Sequence, residues 1–217
     1  MRRVWMKNRV KMVVLNPVIE SMLGKRYLEL ISLLESKGYF VENSKRGIEY
    51  VRTFYGLNLF FINDTCQIDS RCPKITELIV NDFPYLLKRI STITPILITG
   101  AYMAFAEFLE KNPNSIVDLT IISPCEIMRA YEKMNNGTKI ITWKKFKEIE
   151  EIEIPENKLD ESPVPLGFFN SKALLGEKIY SASGEKDCKK LLSNIPKNAN
   201  LLELLWCEGG CHKGDGL

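Results

Sequence analysis

Short apolar runs alternate with amphipathic stretches along this chain, and that alternation restricts it to parallel βαβ units more firmly than any composition figure does. Strands are predicted at Lys11–Leu15, Tyr39–Val41, Leu59–Ile62, Ile96–Thr99, Ile116–Ile122, Lys139–Thr142, Lys178–Ser181 and Leu201–Leu205. Helices are predicted at Tyr27–Ser36, where Leu28, Ile31 and Leu34 recur at helical spacing, and at Lys74–Ile90 with a kink at Pro84. Three more follow at Ala101–Lys111, Trp143–Glu150 and Glu185–Ile195. The expected fold class is α/β, with two lobes of mainly parallel β-sheet flanked by helices. The Asn135-Asn136-Gly137 turn and a Pro-rich loop (Pro155, Pro163, Pro165) place the division, giving an N-terminal lobe over 1–135 and a C-terminal lobe over 136–217.

Charge and hydropathy narrow the partners. Thirty Lys and Arg against 27 Asp and Glu leave a net charge of +3, too balanced for a nucleic-acid partner. The basic residues Arg2, Arg3, Lys7, Arg9 and Lys11 read as a solvated edge. The long uncharged stretch Ile90–Ala106 holds Pro95 and Gly100 and is closed by Glu107, so it reads as strand, turn and helix and not as a membrane span. No secretory signal is read at the start, so a cytoplasmic location with reduced thiols is expected. The single histidine, His212, excludes a multi-histidine metal centre within this sequence.

The six cysteines carry the chemistry. Leu59–Ile62 leads to Cys66 and Cys72, Ile116–Ile122 runs into Ser123-Pro124-Cys125, and Leu201–Leu205 ends at Trp206-Cys207-Glu208-Gly209-Gly210-Cys211. In open α/β sheets ligands collect at the carboxyl ends of strands, which makes Cys72, Cys125, Cys207 and Cys211 the candidate ligand set for one pocket with the cluster site between the lobes. Four thiolates suit a 4Fe–4S cubane, and Gly209-Gly210 would let backbone approach it without a Cβ clash. The residue types alone also admit zinc or plain buried thiols. Zinc is disfavoured because Cys72 and Cys125 stand singly, 53 residues apart (125 − 72), and not in tight knuckles. Cys188 shares a helix face with Leu191, Leu192 and Ile195 and reads as core. Cys66 stays open between a structural and a redox role, and His212 reads as a surface residue.

These motifs resemble the H-cluster-binding, C-terminal catalytic domain of the FeFe-hydrogenase large subunit. Asn16-Pro17-Val18-Ile19-Glu20 is similar to the family's early strand-to-helix segment, and CPKITELIVNDFPYLLKRIST (72–92) to the segment around its first cluster cysteine. IVDLTIISPCEIMRAYE (116–132) is similar to the second motif and LLELLWCEGGCHKGDG (201–216) to the third. The resemblance implies a cubane held by Cys72, Cys125, Cys207 and Cys211. It also implies that the cysteine matching Cys211 bridges to a diiron subcluster bearing CO and CN⁻, where protons and electrons interconvert with H₂.

Several positions depart from the family pattern. Arg71 stands where the family has a proton-relaying cysteine, and Met128 where it has a lysine that holds cyanide. Leu205 and Trp206 replace Met-Ala before Cys207. Ser91-Thr92-Ile93-Thr94-Pro95 is one residue short and lacks a lysine, the Gly-rich wall segment is missing from the Pro-rich loop region, and no ferredoxin-like accessory domain is read. The expectation is therefore a 4Fe–4S protein that has lost the diiron centre, assigns no catalytic residue, and works in electron transfer or redox sensing. Its partner would be a redox protein such as a ferredoxin-like protein or a hydrogenase subunit. Alternative readings are a hydrogenase component completed by partner subunits, and an iron–sulfur assembly or scaffold protein. Arg71, Met128 and Trp206 are expected to line the vacated diiron space, Arg71 and Arg129 to offset cluster charge, and His212 to gate access from the surface.

Overall fold

The computed structural model describes residues 8–61, 66–134, 138–169 and 178–217. Within them lie two sheets in which every strand pairing is parallel. The first has the order β2-β1-β4-β5, formed by β1 (Arg9–Leu15), β2 (Tyr39–Asn43), β4 (Ile116–Ser123) and β5 (Thr138–Thr142). The second has the order β3-β7-β6, formed by β3 (Gln67–Ile68), β6 (Ile179–Ser183) and β7 (Leu201–Leu205). The expected α/β class with parallel, helix-flanked sheets holds.

Both faces of each sheet are covered, which is why the strands read as continuous apolar runs. Alternate residues of β1 go to opposite faces, as the two-residue strand period requires. Val13 and Leu15 pack under α1 (Pro17–Leu23), α2 (Tyr27–Ser36) and α6 (Trp143–Glu150), through Leu23, Leu30, Leu34, Trp143 and Phe146. Met12 and Val14 pack under α5 (Ile96–Lys111), through Leu97, Ile98, Ala101 and Phe108. The second sheet lays Leu202 and Leu204 against α4 (Pro73–Asp82) and α7 (Glu185–Ser193), and Leu201 against Val51, Tyr55 and Leu59 of α3 (Arg46–Phe61). Helices α3 and α5 thus form a layer between the sheets.

Two glycines allow that layer to close. A Cβ on Gly100 of α5 would stand 2.1 Å from the Ser44 carbonyl oxygen, and one on Gly47 of α3 would stand 2.3 Å from that of Ile96. Backbone cannot yield as a flexible side chain can, so Gly100→Ala is expected to destabilise by about 2–3 kcal/mol. Thermal unfolding should register this as a fall in Tm of roughly 5–10 °C.

Three predicted elements differ. Leu59–Ile62 is not a strand: Leu59 ends the buried helical stripe Val51, Tyr55, Leu59 of α3, while Ile62 lies outside the described residues. Ile96–Thr99 is the first turn of α5. Ile96 faces the α3 side and Leu97 and Ile98 face the sheet, so a helix wrapped on several sides loses the periodicity that would have identified it. The predicted helix Lys74–Ile90 breaks at Phe83, where Pro84 opens a separate 3-10 segment, Pro84–Arg89.

The sheets also do not separate at residue 135/136. β3 joins the second sheet and β5, after that point, joins the first, so the chain crosses between the sheets more than once. The Asn135-Asn136-Gly137 turn lies outside the described residues, as do Arg2, Arg3 and Lys7. Of the basic edge, Arg9 pairs in the open with Asp118 at 2.6 Å, and Lys11 sits 5.5 Å from the Tyr39 ring. No described helix is long and apolar enough to cross a membrane.

Candidate functional site

The parallel registers bring strand ends together. Ser123 of β4 is level with Thr142 of β5, and Ser183 of β6 with Leu205 of β7. Cys125 and Cys207 leave these carboxyl ends, and Cys72 follows β3 by a short turn. All four candidate cysteines, Cys72, Cys125, Cys207 and Cys211, line one small cavity of about 30 Å³, together with Lys74, Ile127, Leu205, Trp206 and Gly210.

Each loop is fixed by local chemistry. Cys72 is the residue before α4, with Pro73 in the first helical position where a missing N–H costs nothing. The Ser123 hydroxyl accepts from the Cys125 N–H at 3.1 Å and donates to the Cys125 carbonyl at 2.8 Å, closing the turn after β4. Gly209 and Gly210 adopt φ of 78° and 127°, open to glycine and strained for other residues. The Gly209 N–H donates to Ser183 Oγ at 3.1 Å, which anchors the Cys207–Cys211 loop to β6. The C-terminal turn then reaches the other sheet. Gly216 N–H donates to the Pro124 carbonyl at 3.0 Å, and Asp215 accepts from Lys74 at 2.6 Å and from the Glu126 N–H at 3.1 Å.

The electrostatics are those of crowded, desolvated thiols. Burial first, then the charge of Cys72, pushes the Cys125 and Cys211 thiols up to about 12. Burial raises Cys72 too, opposed by the nearby backbone N–H groups of Trp206, Ile75 and Lys74. Cys207 is raised by burial and by Cys72, and Lys74 counteracts this. Cys211 has exposed surface although its thiol is strongly desolvated. It also lines a second, apolar cavity, and surface turned to a cavity is not surface turned to bulk water.

Such a donor set, four soft sulfurs lining one cavity, fits a thiolate-ligated iron–sulfur cluster. Among the described residues, however, no three His, Cys, Asp or Glu side chains are grouped to hold a single metal ion.

The second cavity, about 90 Å³, is lined by Arg71, Met128, Leu205, Ser162, Asn16 and three of the cysteines, Cys72, Cys125 and Cys211. Trp206 is not in its lining. Its indole instead packs toward the α4 and α7 core and borders the four-cysteine cavity. Arg129 is 60% exposed and stands 3.9 Å from Glu126 and Glu132, so its charge is spent in solvent. His212 lines neither cavity. Both ring nitrogens are buried without a partner among the described residues, and burial, then Lys213, lowers its pKa.

The two remaining cysteines lie apart. Cys188 is fully buried, directing its thiol to the Ala182 and Leu205 carbonyls, and belongs to the core. Cys66 precedes β3, at the opposite strand end from the four, beside Arg89, Lys197 and Asn200, and burial pushes its thiol to about 11.

Sequence reading missed Asp69 and Glu203. Both side chains are fully buried and bind Arg71 at 2.6 and 2.5 Å. A hint was present in Leu201–Leu205, where a single acid interrupts an otherwise apolar buried strand.

Two parallel sheets bounding a layer of helices, with cysteines at the carboxyl ends of strands from both, define an α/β class with its site at the sheet junction. No protein-family model and no curated protein matches the chain. Among solved structures, a variant of the FeFe-hydrogenase HydA1 from Chlamydomonas reinhardtii is similar with a TM-score of 0.71 at 14% identity, over 95% of this chain and 79% of that one. A HydA(deltaEFG) structure concerned with stepwise FeFe-hydrogenase H-cluster assembly gives 0.70 at 14% identity, over 95% and 79%. At such identity the likeness is one of fold.

Proposed function

We propose that this chain is an iron–sulfur protein in which Cys72, Cys125, Cys207 and Cys211 hold a 4Fe–4S cluster, and that it transfers electrons or registers redox state with a ferredoxin-like protein or hydrogenase subunit as partner. The observation that carries this reading is the convergence of four cysteines from three strand ends on one cavity. When bound, the cluster supplies one-electron chemistry. The chain's own residues would hold the thiolates apart, exclude water and donate to the sulfurs. Similarity in fold to hydrogenases, one of them described for H-cluster assembly, supports the same reading.

Anaerobic reconstitution with iron and sulfide tests it. About four irons per chain are expected, and fewer than about two would overturn the reading. Alanine at any of the four cysteines should abolish stable loading, while Cys66→Ala and Cys188→Ala should retain it.

A second reading, a hydrogenase component completed by partner subunits, rests on the apolar cavity that Cys211 shares with Met128. That lining gives an added diiron group little to hold it, since Arg71 is already bound by two carboxylates. Infrared bands of CO and CN⁻ after coexpression with the maturation enzymes would favour this reading. Their absence, with no H₂ evolution, would end it.

A further inference from the structure

We infer that the buried Asp69–Arg71–Glu203 triad is a fixed-charge device that sets the redox potential of the four-cysteine site, with Arg71 favouring the reduced state and the two carboxylates the oxidised one. This rests on the proposed cluster.

The geometry is that of a locked charge. Arg71 is 6% exposed in its side chain and both carboxylates are 0%. Arg71 Nε donates to Asp69 Oδ2 at 2.6 Å and Nη2 to Glu203 Oε1 at 2.5 Å, while the Arg71 backbone N–H also donates to Asp69 at 2.9 Å. The guanidinium lies 4.8 Å from the Phe168 ring centroid and 4.4 Å from that of Phe169. Glu203 accepts further from the Gly167 and Phe168 N–H groups and from Ser181, and Asp69 from Tyr55. No member can swing away.

The triad also touches the site. Arg71 directly precedes Cys72 and lines the cavity that Cys72, Cys125 and Cys211 share. Its charge reaches Cys211, whereas that of Asp69 reaches Cys72. In an apolar, water-poor surrounding these fields are screened far less than those of exposed groups such as Arg129. Buried ion pairs are poor sources of net stability, so stability alone gives weak reason for three charges here. The reach of Arg71 and Asp69 to the cysteines gives a stronger one, with Glu203 acting through the guanidinium it holds. Reduction adds negative charge to the site, which a fixed cation favours and a fixed anion opposes.

The test is a redox titration of loaded full-length protein, followed by visible absorbance, in the wild type and in Asp69→Asn, Glu203→Gln, Arg71→Lys and Arg71→Gln. The two carboxamide variants are expected to shift the midpoint positive, Arg71→Gln to shift it negative, and Arg71→Lys to stay near the wild type. The carboxamide shifts should persist in high salt. If Arg71→Gln does not fold, the carboxamide pair decides. Loaded, folded carboxamide variants with unmoved or negative-going midpoints would overturn the inference while leaving the cluster reading intact. Failure of the wild type to take up iron would overturn both.

Discussion

Arg71→Met is expected to lower the unfolding free energy by about 3–5 kcal/mol, because it leaves Asp69 and Glu203 buried with no cation between them. In urea the midpoint should fall by roughly 1–2 M, with little change in the slope. The size of the effect comes from asymmetry. Bringing three charges together in the interior is close to neutral when all are paired, whereas removing one strands the others. Replacing all three by apolar residues should recover only part of the loss. Glu203 also serves the Gly167 and Phe168 N–H groups and the Ser181 hydroxyl, and those donors would be left unpaired. A loss below about 1 kcal/mol for Arg71→Met, the range of an exposed pair, would show that the triad does not hold the interior as described.

How much of this was legible in the sequence depends on how each residue is surrounded. The strands β1, β2, β4, β5, β6 and β7 were readable because their apolar runs are short and bounded by turn residues. Ile96–Thr99 was misread because the start of α5 is packed between a sheet and α3, which erases the helical stripe. β3 is only two residues long, Gln67 and Ile68, and no pattern can declare itself at that length. The division at 135/136 failed for a topological reason: strand pairing between distant segments set sheet membership, and no local signal encodes it.

The site divides in the same way. Residue type and position after a strand pointed to Cys125, Cys207 and Cys211, whereas Cys72 follows the two-residue β3 and not the expected strand Leu59–Ile62; the fold places all four on one cavity. Arg71 departs from the resembled pattern, but nothing in the sequence marks its partners. Glu203 is 132 residues away in sequence, and nothing local announces that an acid in an apolar strand will meet an arginine there. The clamp of Lys74 and Asp215 was hidden for the same reason, at a separation of 141 residues.

The cluster-free chain is expected to lose stability steeply as pH rises from about 8.5 toward about 12. Burial pushes Cys125, Cys188 and Cys211 up to about 12 and Cys66 to about 11. Within that window an unfolded thiol gives up its proton and a folded one keeps it. The folded state therefore binds more protons, and stability falls with rising pH. Below the window all these thiols are protonated in both states and the contribution is fully present. Each unit of raised pKa on one thiol corresponds to about 1.4 kcal/mol. Buried tyrosines and the raised Lys74 and Lys189 act in the same direction, so the thiols must be isolated. Urea unfolding of cluster-free wild type and of the double variant Cys125→Ser/Cys211→Ser, under reductant and chelator at several pH values from 8 upward, does this. The double variant should show a decline shallower by up to about two protons. Parallel declines would mean that these two thiols do not carry the burial assigned to them. Loaded protein should decline less over the same range, because cluster binding removes the protons of its four ligand thiols at the outset, whereas Cys66 and Cys188 keep theirs.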